Sequence, residues 1–129
     1  MSLTLRLYSL ALLFIIVLGC HTARPSANAL PDPLTAGWAG QPVCMVLEEN
    51  TRLRILRCTF APGVGHERHY HPAHFGYTLA GSRFRILDAR GSREVQVLTG
   101  THFYNPGIEW HEVLNIGDST AVFLLFEPK

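Results

Sequence analysis

The sequence predicts a small all-β domain, a sandwich or barrel of short strands. Three observations carry that prediction. Past residue 40, short segments alternate apolar and polar side chains, which is the period of a half-buried strand. Turn chemistry separates these segments at Glu49-Asn50, Pro62-Gly63, Gly81-Ser82, Gly91-Ser92, Pro106-Gly107 and Gly117-Asp118. Helical periodicity is absent. The strands expected from this pattern cover 42–47, 52–60, 66–71, 74–80, 83–88, 93–98, 101–104, 110–115 and 120–127.

Taken in chain order, the first 19 residues form a different kind of segment. Arg6 precedes an apolar run from Leu10 to Leu18, the layout of a removable export signal and too short for a comfortable bilayer span. Val17-Leu18-Gly19-Cys20 resembles the bacterial lipoprotein cleavage box, which implies a lipid on Cys20 and tethering of an otherwise soluble domain to a membrane. His21 after that cysteine favours the periplasmic face of the outer membrane. A soluble secreted or periplasmic protein, or an uncleaved anchor, is the alternative. Residues 20–37 contain three prolines in HTARPSANALPDPLTA and are expected to form the spacer, with the domain spanning 38–129.

Composition limits the function. The chain of 129 residues is 47% hydrophobic and 16% charged, as one ordinary globular domain would be. Lys+Arg number 11 against 10 Asp+Glu, and loss of Arg6 with the signal leaves the mature chain neutral. With no basic stripe to displace counterions, nucleic acid is not an expected partner. In an oxidising compartment Cys44 and Cys58 could pair across a hairpin turning near Asn50-Thr51, or remain two buried thiols.

Further along, Asp88-Ala89-Arg90-Gly91-Ser92 reads as a hairpin loop, with Phe84 and Ile86 facing one way and Val95 and Val97 sharing a face across it. The last strand, Ala121-Val122-Phe123-Leu124-Leu125-Phe126, is apolar on both faces, so it is buried on both or lies in a homodimer interface.

Seven histidines occur, and His66, His69, His71 and His74 fall within nine residues. In a strand, residues i and i+2 share a face, so His69 and His71 present two imidazoles side by side. His111 lies 40 residues beyond His71, far enough to return on a facing strand and complete a triangle. Three imidazoles suit one divalent ion, Fe, Mn, Ni, Cu or Zn, with positions left for water or substrate.

Those residues also carry a resemblance to the cupin superfamily of β-barrels. Gly63, five residues, then His69-Tyr70-His71 resembles its first motif, and counting back six from Gly81 puts His74 in the slot where that motif has glutamate. Gly100, Pro106, His111 and Asn115 match the second motif at full spacing, with Gly107 one place early. The resemblance covers about residues 40–127 and implies an antiparallel double-stranded β-helix, or jelly roll. It implies a metal held by His69, His71 and His111, with His74 as a fourth ligand. It also implies either a dioxygenase-like or other metal-assisted enzyme acting on a small organic substrate, or a non-catalytic barrel that binds a small ligand or metal.

Around that site, Glu67 shares strand parity with His69 and His71, and Tyr77 could act in proton transfer, as could Tyr104 and Arg85. His66 and His102 are expected on the surface or as partners that orient ligand imidazoles. If His74 faces inward, Gly76, Thr78 and Ala80 do too, leaving room for substrate and turning Phe75, Tyr77 and Leu79 outward. The opposite parity buries the aromatics.

Overall fold

The computed structural model describes residues 29–129, and among them there is no helix. The signal segment, Cys20 and the first part of the spacer lie outside the described residues. Eleven strands form: β1 (Gly37–Trp38), β2 (Gln41–Pro42), β3 (Cys44–Glu49), β4 (Leu53–Phe60), β5 (Gly65–His71), β6 (His74–Ala80), β7 (Ser82–Asp88), β8 (Gly91–Val97), β9 (His102–Asn105), β10 (Ile108–Asn115) and β11 (Ala121–Pro128). Each of the nine expected strands is present, with ends shifted by a residue or two, and the β1–β2 pair is added.

All pairings are antiparallel, in two main sheets ordered β3-β4-β11-β6-β9 and β5-β10-β7-β8. The order follows from chain crossings between the two sheets, which give the jelly-roll barrel. Alternation along each strand turns one row of side chains toward the other sheet. Leu56, Cys58, Phe60, Phe84, Ala121 and Leu125 make the buried core. Phe60, Phe84 and Phe123 meet edge to face with centroids 5.6–6.0 Å apart.

Cys44 and Cys58 are direct partners across β3 and β4, their Cα atoms 4.0 Å apart, and their side chains form a disulfide. Close approach in the pair makes bonding, not two thiols, the outcome of the alternative left by the sequence. Asn115, fully buried, closes one end of the barrel. Its Nδ2 donates to the carbonyls of Phe60 and Ser119, while its Oδ1 accepts from Ser82 Oγ and Gly117 N–H, so its amide is fully used.

The expected spacer is different over residues 31–37. The Pro31 carbonyl accepts from Tyr70 N–H, Pro33 and Ala36 are buried, and Asp32 pairs with Arg54 at 2.7 Å. Arg54 also holds the buried Glu127 at 2.6 Å. Trp38 packs its ring against Gly65, where any Cβ would collide with it. This stretch is part of the packed structure because a two-carboxylate clamp on one buried guanidinium fastens it, which prolines alone do not reveal.

Candidate metal centre

β5 and β10 lie side by side in the four-stranded sheet, and His69 is the direct partner of His111. His71, two residues along β5, shares the face of His69. Alternation puts His69 and His71 on one face, pairing of β5 with β10 sets His111 beside them, and a bulge lies to each side of the His69–His111 pair. Between the His111–His69 and Val113–His66 pairs β5 carries one extra residue, and between Ile108–His71 and His111–His69 β10 carries one. The strands therefore kink on both sides of the His69–His111 pair. On the outer surface the Arg68 guanidinium, from the bulged stretch of β5, stacks 4.1 Å over the ring of Trp110, from that of β10.

The three Nε2 atoms form a nearly equilateral triangle, with sides of 2.9 Å (His69–His71), 3.0 Å (His71–His111) and 3.0 Å (His111–His69). Such a triangle tests the fit of a metal directly. With a metal–nitrogen bond of about 2.1 Å, ligands at right angles lie about 3.0 Å apart, whereas tetrahedral ligands lie about 3.4 Å apart. The observed triangle fits three histidine nitrogens that would hold one ion there.

Protonation suits this role. His69 Nδ1–H donates to the Glu67 carbonyl at 2.6 Å, which leaves the lone pair on Nε2, facing the other two rings. Burial pushes the His69 pKa down to about 4, aided by the charge of His66, and that of His111 down to about 3, aided by His69. His71 is driven down further, by burial and then by the neighbouring imidazoles. All three are neutral at pH 7, the form in which an imidazole binds a metal. His71 Nδ1 is buried with no hydrogen-bond partner among the described residues.

The remaining sequence candidates separate clearly. His74 is buried and faces inward, so the first parity holds and Phe75, Tyr77 and Leu79 face outward. Its Nδ1–H donates to the Pro72 carbonyl at 2.9 Å and its ring lies 4.7 Å from that of His71, but it stands outside the three-histidine cluster. The room expected beside it over Gly76 is taken by Phe103, whose ring occupies the position a Cβ would need.

Two candidates do not reach the site. Tyr77 faces away from the cavity on the outer surface of the five-stranded sheet, because it alternates with inward Gly76 and Thr78. Glu67 is exposed, and its carboxylate accepts from Ala39 N–H in the β1–β2 turn. The β5 bulge breaks the parity that linked it to His69, so Glu67 serves the site through its carbonyl alone. Tyr104 and Arg85 are also exposed, and His102 stacks on Phe75 outside the barrel. His66 does take an orienting position: it stacks on His69 with centroids 3.8 Å apart, and its Nε2–H donates to the Ala36 carbonyl.

A cavity of about 450 Å³ opens between the sheets onto the triad. Its floor is Phe60, Phe84, Phe123 and Leu125, and its mouth carries Asp88, Arg90 and Arg93. Sequence reasoning missed the mouth. The signal was present: Asp88 continues the parity of Phe84 and Ile86, and Arg93 that of Val95 and Val97, so charged residues occupied inward positions.

A family model described as a cupin domain matches residues 56–127, which span β4 to β11 and include all three triad histidines. The chain belongs to the cupin family. This cupin is similar to a solved cupin domain from Bordetella pertussis Tohama I, at 24% identity and TM-score 0.63, covering 67% of this chain and 92% of that one. It is also similar to the polyketide cyclase RemF from Streptomyces resistomycificus, at 20% identity and TM-score 0.56, with 74% and 73% covered. A predicted oxalate decarboxylase from Thermotoga maritima matches at 20% identity and TM-score 0.50, with 64% and 76% covered. At such identities the likeness extends to the fold. No curated protein shows a significant match to this cupin.

Proposed function

We propose that this cupin is an exported enzyme that holds one divalent ion on His69, His71 and His111 and acts on a small organic substrate. The observation that carries the reading is the Nε2 triangle, whose sides of 2.9–3.0 Å fit three ligands at right angles about one ion. Such a set leaves positions for water, O2 or a chelating substrate, which favours dioxygenase-like chemistry among the reactions open to it. The ion supplies Lewis-acid polarisation and, if redox-active, electron transfer.

This chain's own residues supply the setting. Glu67's carbonyl and the stacked His66 orient His69, while the phenylalanine floor keeps water from the substrate's apolar part. His74, beside His71, is the fourth-ligand candidate, and with Nδ1–H committed to Pro72 its free nitrogen is Nε2. The printed activities of the similar structures, a cyclase and a predicted decarboxylase, differ from each other and do not select a reaction.

One observation favours a second reading, a non-catalytic barrel that captures a ligand or metal. Both candidate catalytic side chains, Tyr77 and Glu67, point away from the cavity. Metal analysis with O2 uptake separates the two. Bound iron, manganese, nickel or copper with O2 consumption supports the dioxygenase, bound metal without turnover supports capture, and metal content unchanged by alanine at His69 and His111 defeats both.

The setting proposed is a lipid-anchored protein, tethered through Cys20 at the periplasmic face of the outer membrane, with a soluble periplasmic or secreted form as alternative. The Cys44–Cys58 disulfide supports an oxidising compartment. A homodimer is proposed through the outer face of the five-stranded sheet, where Leu124 and Tyr77 are direct partners amid half-exposed Val122, Phe126 and Phe75.

A further inference from the structure

The cavity wall is apolar except at the histidines, Asn105 and the mouth. At the mouth Asp88 ends β7, Arg90 sits in the turn and Arg93 lies on β8. These are the charged side chains that line the cavity. Asp88 Oδ2 accepts from Arg90 Nη2 at 2.9 Å and from Arg93 Nη1 at 2.8 Å. Hydrogen bonds, first from the Arg90 side chain, hold the Asp88 carboxyl below the usual carboxylate range, so one carboxylate faces two guanidiniums and the mouth is net positive.

The turn by itself needs only one of those arginines. Arg90 already meets Asp88 through its backbone N–H and its guanidinium, and its side chain is 78% exposed. Arg93 is placed differently. It pairs with Ile86, Ile86 with Val113 and Val113 with His66, so it belongs to a row of inward residues that crosses the sheet beneath the cavity. Asp88 holds Arg93 through Nη1, and among the described residues no acceptor engages its Nε or Nη2. A guanidinium so fixed, with free donors at the rim of an apolar cavity, is built to receive an anion.

We infer that the cavity takes an organic acid, its anionic head on Arg93, its apolar body on the floor of Phe60, Phe84 and Phe123, and its reacting group toward the triad. The inference deepens the proposed function and rests on its claim that this cavity receives the substrate. Arg93 lies two strands from β10, in the row of Val113, two residues along that strand from His111.

Calorimetry of the full purified protein with 2-naphthylacetate and the neutral 2-naphthylacetamide tests this, with metal content measured on the same samples. The acetate is expected to bind about tenfold tighter than the amide, the Arg93→Gln variant to lose that preference while still binding the amide, and Arg93→Lys to keep most of it. Equal binding of the two probes, binding of neither, or a preference intact in Arg93→Gln overturns the inference. Repeating the titration after chelation keeps the two readings apart. A preference that survives without metal supports the arginine site whatever the fate of the triad, whereas one that vanishes with the metal assigns the anion to the ion and overturns it.

Discussion

His69 and His111 face each other as direct partners across β5 and β10, with a bulge on one strand to each side of the pair. His71 shares the face of His69, and the β5 bulge turns the Glu67 side chain away. Alanine at His69 or His111 therefore removes a corner of the donor set. Metal content is expected to fall from about one equivalent to under a tenth, and the thermal stabilisation given by added metal, about 2.7 kcal/mol at a hundredfold excess over Kd, is expected to vanish. Elemental analysis and melting curves with and without metal check both.

Acid weakens the metal-free protein. His66 and His69 titrate near 4 and His111 near 3 in the fold, against about 6.5 when unfolded. Between those values the unfolded chain binds more protons, so the stabilisation is complete above pH 6.5 and is lost as pH falls toward 4 and 3. Melting of the chelated protein at pH 7.5 and pH 5 is expected to show a lower Tm at pH 5. A His66→Phe variant, which keeps a ring beside His69 but does not titrate, is expected to narrow the gap.

The Cys44–Cys58 bond closes a loop of sequence separation 14 between adjacent strands. Chain-entropy reasoning gives such a link about 3 kcal/mol. Replacing both cysteines by alanine is expected to lower Tm by roughly 10 °C or more in a domain of this size. Metal content should stay near that of the native protein, since neither cysteine belongs to the histidine cluster. Differential scanning calorimetry with elemental analysis checks the pair of outcomes.

Leu124 and Tyr77 meet across β11 and β6 on the outer sheet face. If two copies pack through that face, Leu124→Lys or Tyr77→Glu puts an unpaired charge at its centre and should shift the protein from dimer to monomer in light scattering. Tyr77→Phe should leave the assembly, metal content and ligand binding unchanged, because the ring is retained and the hydroxyl lies away from the cavity.

Alternation and turn residues were sufficient to place the nine strands, because the period-two pattern is written locally at each segment. The same holds for His69 and His71, neighbours on one strand face. His111 was legible through its motif with Gly100, Pro106 and Asn115, and Asn115 ties β10 to Phe60, Ser82 and Ser119. Glu67 was misread because a bulge leaves no local trace in the pattern. Asp88 and Arg93 were passed over because a turn full of charges resembles a solvated hairpin tip.

The amino-acid sequence alone determined the all-β class, the strand order along the chain and the three histidines, since these depend on local periodicity and on spacing. Only the tertiary structure decided what those residues do together. Pairing of β5 with β10 set the 3.0 Å triangle, and cross-strand approach joined Cys44 to Cys58. Packing of Phe103 over Gly76 and of residues 31–37 against Arg54 and His66 then shaped the space around the site. Register and bulges are set by the balance of many distant contacts, so one residue of slip decides whether a side chain meets the cavity or solvent.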